Sequence, residues 1–247
     1  MILDRVTLTG ADCVHDVQVM AALANDYPQV EFALLLTTSQ TRQGTPRYPK
    51  FYDLITLYNK LYARGVTVAV HACGAVAFDI LDCNRLGNFM LSQFNTSSRI
   101  QLNLSSAKNL AKKLTSFHEM HPRVRLILQH NSETESELAK LADCNWFDIL
   151  RDASGGRGIH EPWQRPGFDP RSMYGYAGGI GVDNIAECLA NLTSLLPAGE
   201  LTWIDMESSL RETRSGYMDR MDFVKCERIL EVCQNWTLFN TGTSNHA

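Results

Sequence analysis

The segment FDILRDASGGRGIHEPW, residues 147–163, ends a short apolar run on Asp152 and continues into Ser154, Gly155, Gly156, Arg157 and Gly158. A carboxyl group at the tip of a buried strand, beside a glycine-rich loop, is placed to exchange a proton with a bound molecule. Other apolar runs also end on polar residues: Thr9, His71 with Cys73, Asn103, Gln129 with His130, and Glu207-Ser208-Ser209. The polar loop after the second run carries Arg42 and Arg47. Taken singly, a histidine or cysteine in such a place is more often packed or hydrogen-bonded than catalytic. The ring as a whole carries more weight than any member.

Two segments have the composition of an anion site. In YAGGIGVDNI, Gly178 and Gly179 precede a helical pattern, and free N–H groups at a helix start attract phosphate. In DMESSLRE, Ser208 and Ser209 follow the last apolar run. The same glycines would serve equally well in a tight turn.

These residues need a frame. Strands are expected at 5–9, 30–37, 66–74, 99–105, 124–131, 147–151, 173–178 and 201–206. Helices are expected at 14–26, 51–65, 107–120, 136–143, 183–196 and 222–234, and 78–94 reads as helical in part. The second run, VEFALLLT, is apolar almost throughout, as a strand buried on both faces must be. Gly65 is placed to close one helix, and Ser132 with Glu135 has the spacing of a capping box. The stretch after the sixth strand is rich in Gly and Pro and has no helical period.

Eight strands alternating with helices over this length is the layout of a (β/α)8 TIM barrel. A doubly wound sheet gives the same alternation. The absence of any linker, and of a GxGxxG or GxxxxGK[ST] fingerprint after the first strand, favours the barrel. The expectation is one domain over residues 1–247, with a frayed polar tail from about 240. Barrels carry their chemistry at the C-terminal ends of the strands, where the polar ring falls.

Composition narrows the function classes. The 247 residues are 45% hydrophobic and 20% charged, which is ordinary for a globular chain. A net charge of -4 gives no basic field to draw nucleic acid or anionic lipid. Lys108, Lys112 and Lys113 read as a solvated helix face. No apolar run is long enough for a membrane span, and MILDRVTLTG lacks a signal-peptide layout. Seven scattered cysteines without a CxxC pair suggest a reduced, cytoplasmic setting. The expected partner is a small molecule, with neither nucleic acid nor membrane; the oligomeric state is left open.

The motifs resemble those of the phosphoribosylanthranilate isomerase family, in order along most of the chain. TPRY (45–48) is similar to the family's SPRY-like loop, and QLNL (101–104) to its QLHG. LRDASGGRGIHEPW resembles LLDS…GGTG…FDW. YAGGIGVDNI resembles LAGGL…NV, with Asn184 in the matching place. IDMESSLRE…SGYMD resembles VDVSSGVE…PGxKD. The resemblance implies a cofactor-free, metal-free Amadori rearrangement of a phosphoribosyl amine or related sugar. It assigns the general acid to Asp152 and the grip on the substrate carboxylate to Arg47. Asn103, Gly178, Gly179, Glu207, Ser208 and Ser209 fall on its binding positions for a phosphosugar-like substrate.

Three positions depart from the family. Its base is the cysteine of a K-[VI]-C-G motif, where VTLTG has Thr9, with Thr7 in place of the lysine. A threonine hydroxyl is too weak an acid to supply a base near neutrality. By position alone the role falls to Cys13, Cys73, His71, His130 or Glu207. Glu207 stands where the family has serine, and Ser209 where it has glycine. A carboxylate repels a phosphate, so either the ligand carries none there or Arg211 or Arg157 compensates. Asn103 replaces the histidine of QLHG. The alternatives are a different barrel lyase or epimerase, with His71, His130 and Glu207 as base or metal ligands, and a non-catalytic barrel that binds small molecules. A Schiff-base aldolase is disfavoured, because no lysine ends an expected strand.

Overall fold

The computed structural model describes residues 1–12, 16–104, 108–152, 163–212 and 219–242. Eight strands pair in sequence order, all in parallel, and β1 closes on β8: β1 (Ile2–Thr9), β2 (Val30–Thr37), β3 (Val68–Cys73), β4 (Arg99–Asn103), β5 (Arg125–His130), β6 (Phe147–Asp152), β7 (Tyr174–Ala177) and β8 (Leu201–Met206). This is the TIM barrel. The helices are α1 (Val17–Asp26), α2 (Phe51–Tyr62), α3 (Ala75–Leu81), α4 (Arg85–Leu91), α5 (Leu110–Met120), α6 (Glu135–Ala139), α7 (Ile185–Leu195) and α8 (Phe223–Gly242). A two-stranded antiparallel ribbon, β9 (Arg211–Glu212) with β10 (Arg220–Met221), follows β8.

Helix α2 illustrates how the outer layer forms. Leu54, Leu57, Tyr58 and Leu61 recur at helical spacing and are all buried. Asp53 in the first turn and Lys60 in the last suit the helix dipole. Gly65, at φ 73, ends it in a Schellman turn: its N–H donates to the Tyr62 carbonyl at 3.0 Å, and Val66 N–H to that of Leu61 at 3.2 Å.

Residues 78–94 are helical in part, as expected: they form the end of α3 and all of α4, broken at Asn84, whose side chain accepts from Gly87 N–H at 2.9 Å. Other expectations need correction. The capping box is replaced by Asn131, whose Oδ1 accepts from Glu133 and Thr134 N–H at 2.9 and 3.1 Å. Glu135 instead accepts from Gly167 N–H. The last helix runs on to Gly242, past the point where fraying was expected.

Strand alternation sorts side chains into two cores. Outward residues such as Val6, Phe32, Leu34, Leu102, Leu128 and Ile149 pack under the helices. Inside the barrel the apolar cluster is small: Ile127, Leu150, Ala177 and Trp203. Ala33, Leu35 and Ala69 also point inward, alternating with outward neighbours on β2 and β3. The remaining interior side chains are largely polar, and Arg99 organises the lower half. Arg99 Nε donates to Glu31 Oε2 and its Nη1 to Asp148 Oδ2, both at 3.1 Å, while Nη2 closes a second bond to Glu31. Arg125 pairs with Asp148, Thr7 Oγ1 donates to Glu31 Oε1 at 3.0 Å, and the Arg99 guanidinium lies 4.7 Å from the Trp203 ring centre. Burial pushes the Glu31 carboxyl up, but the charge and hydrogen bonds of Arg99, with Arg5 and Thr7, outweigh it and hold Glu31 below its ordinary range.

Candidate active site

Above this charged layer the barrel opens into a cleft of about 320 Å³ at the C-terminal ends of the strands. Three carboxyl groups border it: Asp152 at the end of β6, Asp205 on β8, and Glu207 just beyond β8. His71, Gln101, Asn103 and Gln129 form a band of uncharged polar side chains. Gly178 and Gly179 contribute backbone beside the Ser208–Leu210 turn.

Asp205 is inward because Trp203 is, two residues earlier on the same face. It is 8% exposed, and its Oδ1 accepts from Thr9 Oγ1 at 2.6 Å. Burial raises its pKa to about 7; the Thr9 bond opposes that, and the charges of Glu207, Asp152 and Glu31 add to it. Asp205 therefore holds and releases a proton near neutrality. Asp152 is 8% exposed and accepts a long bond, 3.4 Å, from Gln129 Nε2.

The other candidates for the base change character. Cys73 donates to the His71 carbonyl and accepts from Asn103 Nδ2 at 3.2 Å; burial pushes its thiol up to about 11. It stays protonated at neutrality and is no base. His71 is driven down to about 3 by burial, with Glu31 opposing and Arg99 adding, so its ring is neutral. Thr9 is 1% exposed and lies behind Asp205, outside the cleft wall. It serves the carboxyl group and does not face a ligand. His130 points outward: its Nδ1 meets the Tyr174 hydroxyl and its ring packs on Phe168. His71, His130 and Glu207 thus do not converge. Cys13 lies outside the described residues.

Arg47 also differs from expectation. Its Nη1 donates to Glu207 Oε1 at 3.1 Å and its Nε to Asp219 Oδ2 at 3.3 Å. The guanidinium is held by two carboxylates of the protein itself, so it presents no open fork to a substrate carboxylate. It stands beside the cleft, joined to the wall through Glu207. Arg211 is fully buried on the Gly10 carbonyl, Asp12 and Asp219, and does not reach the cleft. Arg157 lies outside the described residues.

The anion-site segments close on themselves. Gly178 and Gly179 adopt φ 102 and 68, which only glycine takes without strain. Asn184 Oδ1 accepts from Gly181 N–H at 2.8 Å, and its Nδ2 donates to the Gly179 carbonyl at 2.9 Å. Ser209 Oγ donates to the Ile180 carbonyl.

Sequence reading missed Asp205. The signal was present: Asp205 and Glu207 are two apart, so if one faces the cleft the other does too. Gln101 was passed over for the same reason beside Asn103.

The chain matches no protein-family model and no curated protein. Solved structures do match. Phosphoribosylanthranilate isomerase from Thermotoga maritima superimposes with a TM-score of 0.57 at 14% identity, over 95% of this chain and 99% of that one. N-acetylneuraminic acid synthetase from Leptospira borgpetersenii gives 0.56 at 10% identity, over 99% and 86%. Phospho-2-dehydro-3-deoxyheptonate aldolase from Thermotoga maritima gives 0.57 at 11%, over 97% and 70%. At these identities the likeness shows the barrel they share and no particular reaction. Among the described residues no helix is long and apolar enough to cross a membrane.

Proposed function

We propose that the chain is an enzyme that isomerises a sugar amine by proton transfer, an aldose-to-ketose rearrangement of the Amadori type, with Asp152 as general acid and Asp205 as general base. The observation that carries the reading is that Asp152 and Asp205 border one cleft and that burial pushes the Asp205 pKa up to about 7. A base works best when its pKa lies near the working pH, and Asp205 meets that condition where Cys73, His71 and Thr9 do not. The motif resemblance supports Asp152 as the acid, and the barrel is a fold that isomerases share with aldolases and synthases.

The steps balance without an outside reactant. Asp152 gives its proton to the ring oxygen; the C1–O bond breaks onto that oxygen, and the nitrogen lone pair forms C=N. Asp205 takes the proton from C2, whose electrons form C1=C2 while the C=N pair returns to nitrogen. The resulting enol collapses to the ketone when Asp205 gives its proton to C1 and the C2 hydroxyl gives its proton to Asp152, which restores both carboxyl groups. The test is incubation of a 1-amino-1-deoxyketose with the protein in D2O. Deuterium should enter at C1, and neither Asp152→Asn nor Asp205→Asn should catalyse it. No uptake with the native protein overturns the reading. Growth of a tryptophan auxotroph that lacks the isomerase, when supplied with this chain, would fix the substrate as the phosphoribosyl one.

A further inference from the structure

The charge of the cleft has a consequence for the ligand. Among the described residues, its wall holds Asp152, Asp205 and Glu207 and neither lysine nor arginine. Two cations act on Glu207 from beside the wall, and both are paired within the protein: Arg47 with Glu207 and Asp219, and Arg211 with Asp12 and Asp219. Two donors in this corner are already engaged: Gly181 N–H by Asn184, and the Ser209 hydroxyl by Ile180. An anion entering this corner would meet the Glu207 carboxylate at short range in a partly desolvated site, where like charges repel strongly. A second observation points to a ligand that carries hydroxyl groups. His71 is 2% exposed, borders the cleft, and its Nε2 has no hydrogen-bond partner. A buried polar atom in that condition is costly, and a ligand hydroxyl would satisfy it.

Resting on the proton-transfer reading above, we infer that the substrate is an unphosphorylated sugar amine, with a hydroxyl group against Glu207 where a phosphate would otherwise sit. The amine brings positive charge to a carboxylate-lined cleft, and the hydroxyls match the side-chain amides of Gln101, Asn103 and Gln129. Carboxylates and amides together bind hydroxyls by accepting and donating in turn.

The test is calorimetric titration of the full chain with 1-amino-1-deoxy-D-ribulose and with its 5-phosphate. The unphosphorylated compound should bind more tightly by about tenfold or more. Glu207→Gln, which keeps the shape and removes the charge, should narrow the gap by strengthening binding of the phosphate; a melting curve checks that the variant is folded, and the native pair decides the matter if it is not. Equal or tighter binding of the 5-phosphate by the native chain, or binding of neither compound, overturns the inference. The two readings fail separately: preferential binding of the unphosphorylated compound without deuterium uptake sinks the isomerase and keeps the ligand class, whereas uptake with a preference for the phosphate does the reverse.

Discussion

The hydroxyl of Thr9 lies 2.6 Å from Asp205 Oδ1, across the seam where β1 meets β8. The bond joins the position the resemblance reserves for a base to a neighbouring carboxyl group that has the pKa of one. A hydroxyl that donates to a carboxylate stabilises the charged form, so Thr9 holds down a pKa that burial drives up. Thr9→Val keeps the shape and removes the donor, and the Asp205 pKa should then climb above its native value of about 7. Thr9→Ser should leave it nearly unchanged. Carbon NMR titration of the aspartate carboxyls reads both; an unmoved Asp205 in the valine variant would mean that the hydroxyl does not govern it.

Asp205 should also cost stability in a pH-dependent way. Folded, it keeps its proton up to about 7; unfolded, it releases it near 3.8. Between those values the folded state binds more protons, so this group's contribution falls as pH rises and the penalty is full above about 7. Asp205→Asn should therefore be more stable than the native chain at pH 8, by on the order of a few kcal/mol. The difference should vanish at pH 4. Urea midpoints at the two pH values test it, and an equal effect at both would contradict the mechanism.

Much of the frame was legible in the sequence, because a strand buried on both faces leaves an unbroken apolar run. VEFALLLT is the clearest: all eight positions are buried. The site was legible in part. Asp152, Glu207 and the glycines could be placed because strand ends locate themselves. Asp205 was hidden because it sits one residue inside a strand, where an acidic residue reads as an outward one. Arg99 was hidden more deeply. It opens β4, where a charge looks solvated, and its partners Glu31 and Asp148 are 68 and 49 residues away in the chain. Only closure of the barrel brings them together. His130 and Arg47 show what a sequence position leaves open: a one-residue shift along a strand turns a side chain from cleft to exterior, and the carboxylates that pair with a guanidinium come from other loops.

Asp152→Asn is isosteric and cannot give up a proton. Turnover should fall by about 10²–10⁴-fold, the usual worth of one positioned acid, while the ligand still binds in calorimetry. Undiminished turnover would remove the acid assignment and leave the cleft as a binding site.

Arg99→Met leaves Glu31 buried with only Arg5 and Thr7 as partners, because Asp148 keeps Arg125. Breaking one side of a buried pair costs about 3–5 kcal/mol. The loss should shrink at acid pH, where the stranded Glu31 can take a proton, and a second change, Glu31→Met, should recover part of it at neutral pH. A loss that does not depend on pH would point to packing against Trp203 as the role of Arg99.

Gly175 faces into the barrel directly beneath the Trp203 ring, and a Cβ there would lie 2.3 Å from ring carbons. Its φ is not left-handed, so alanine would bring no backbone strain and the whole effect is steric. Trp203 is fully buried, with Arg99 against its ring, and has no room to move aside. Gly175→Ala should cost about 1–3 kcal/mol, the range for overpacking a closed core. Pairing it with Trp203→Leu separates the causes: the smaller side chain makes room for the added methyl, so the alanine should be nearly neutral in that background. A double-mutant cycle from urea unfolding reads the coupling directly, and additive losses would show that the ring and the glycine do not meet.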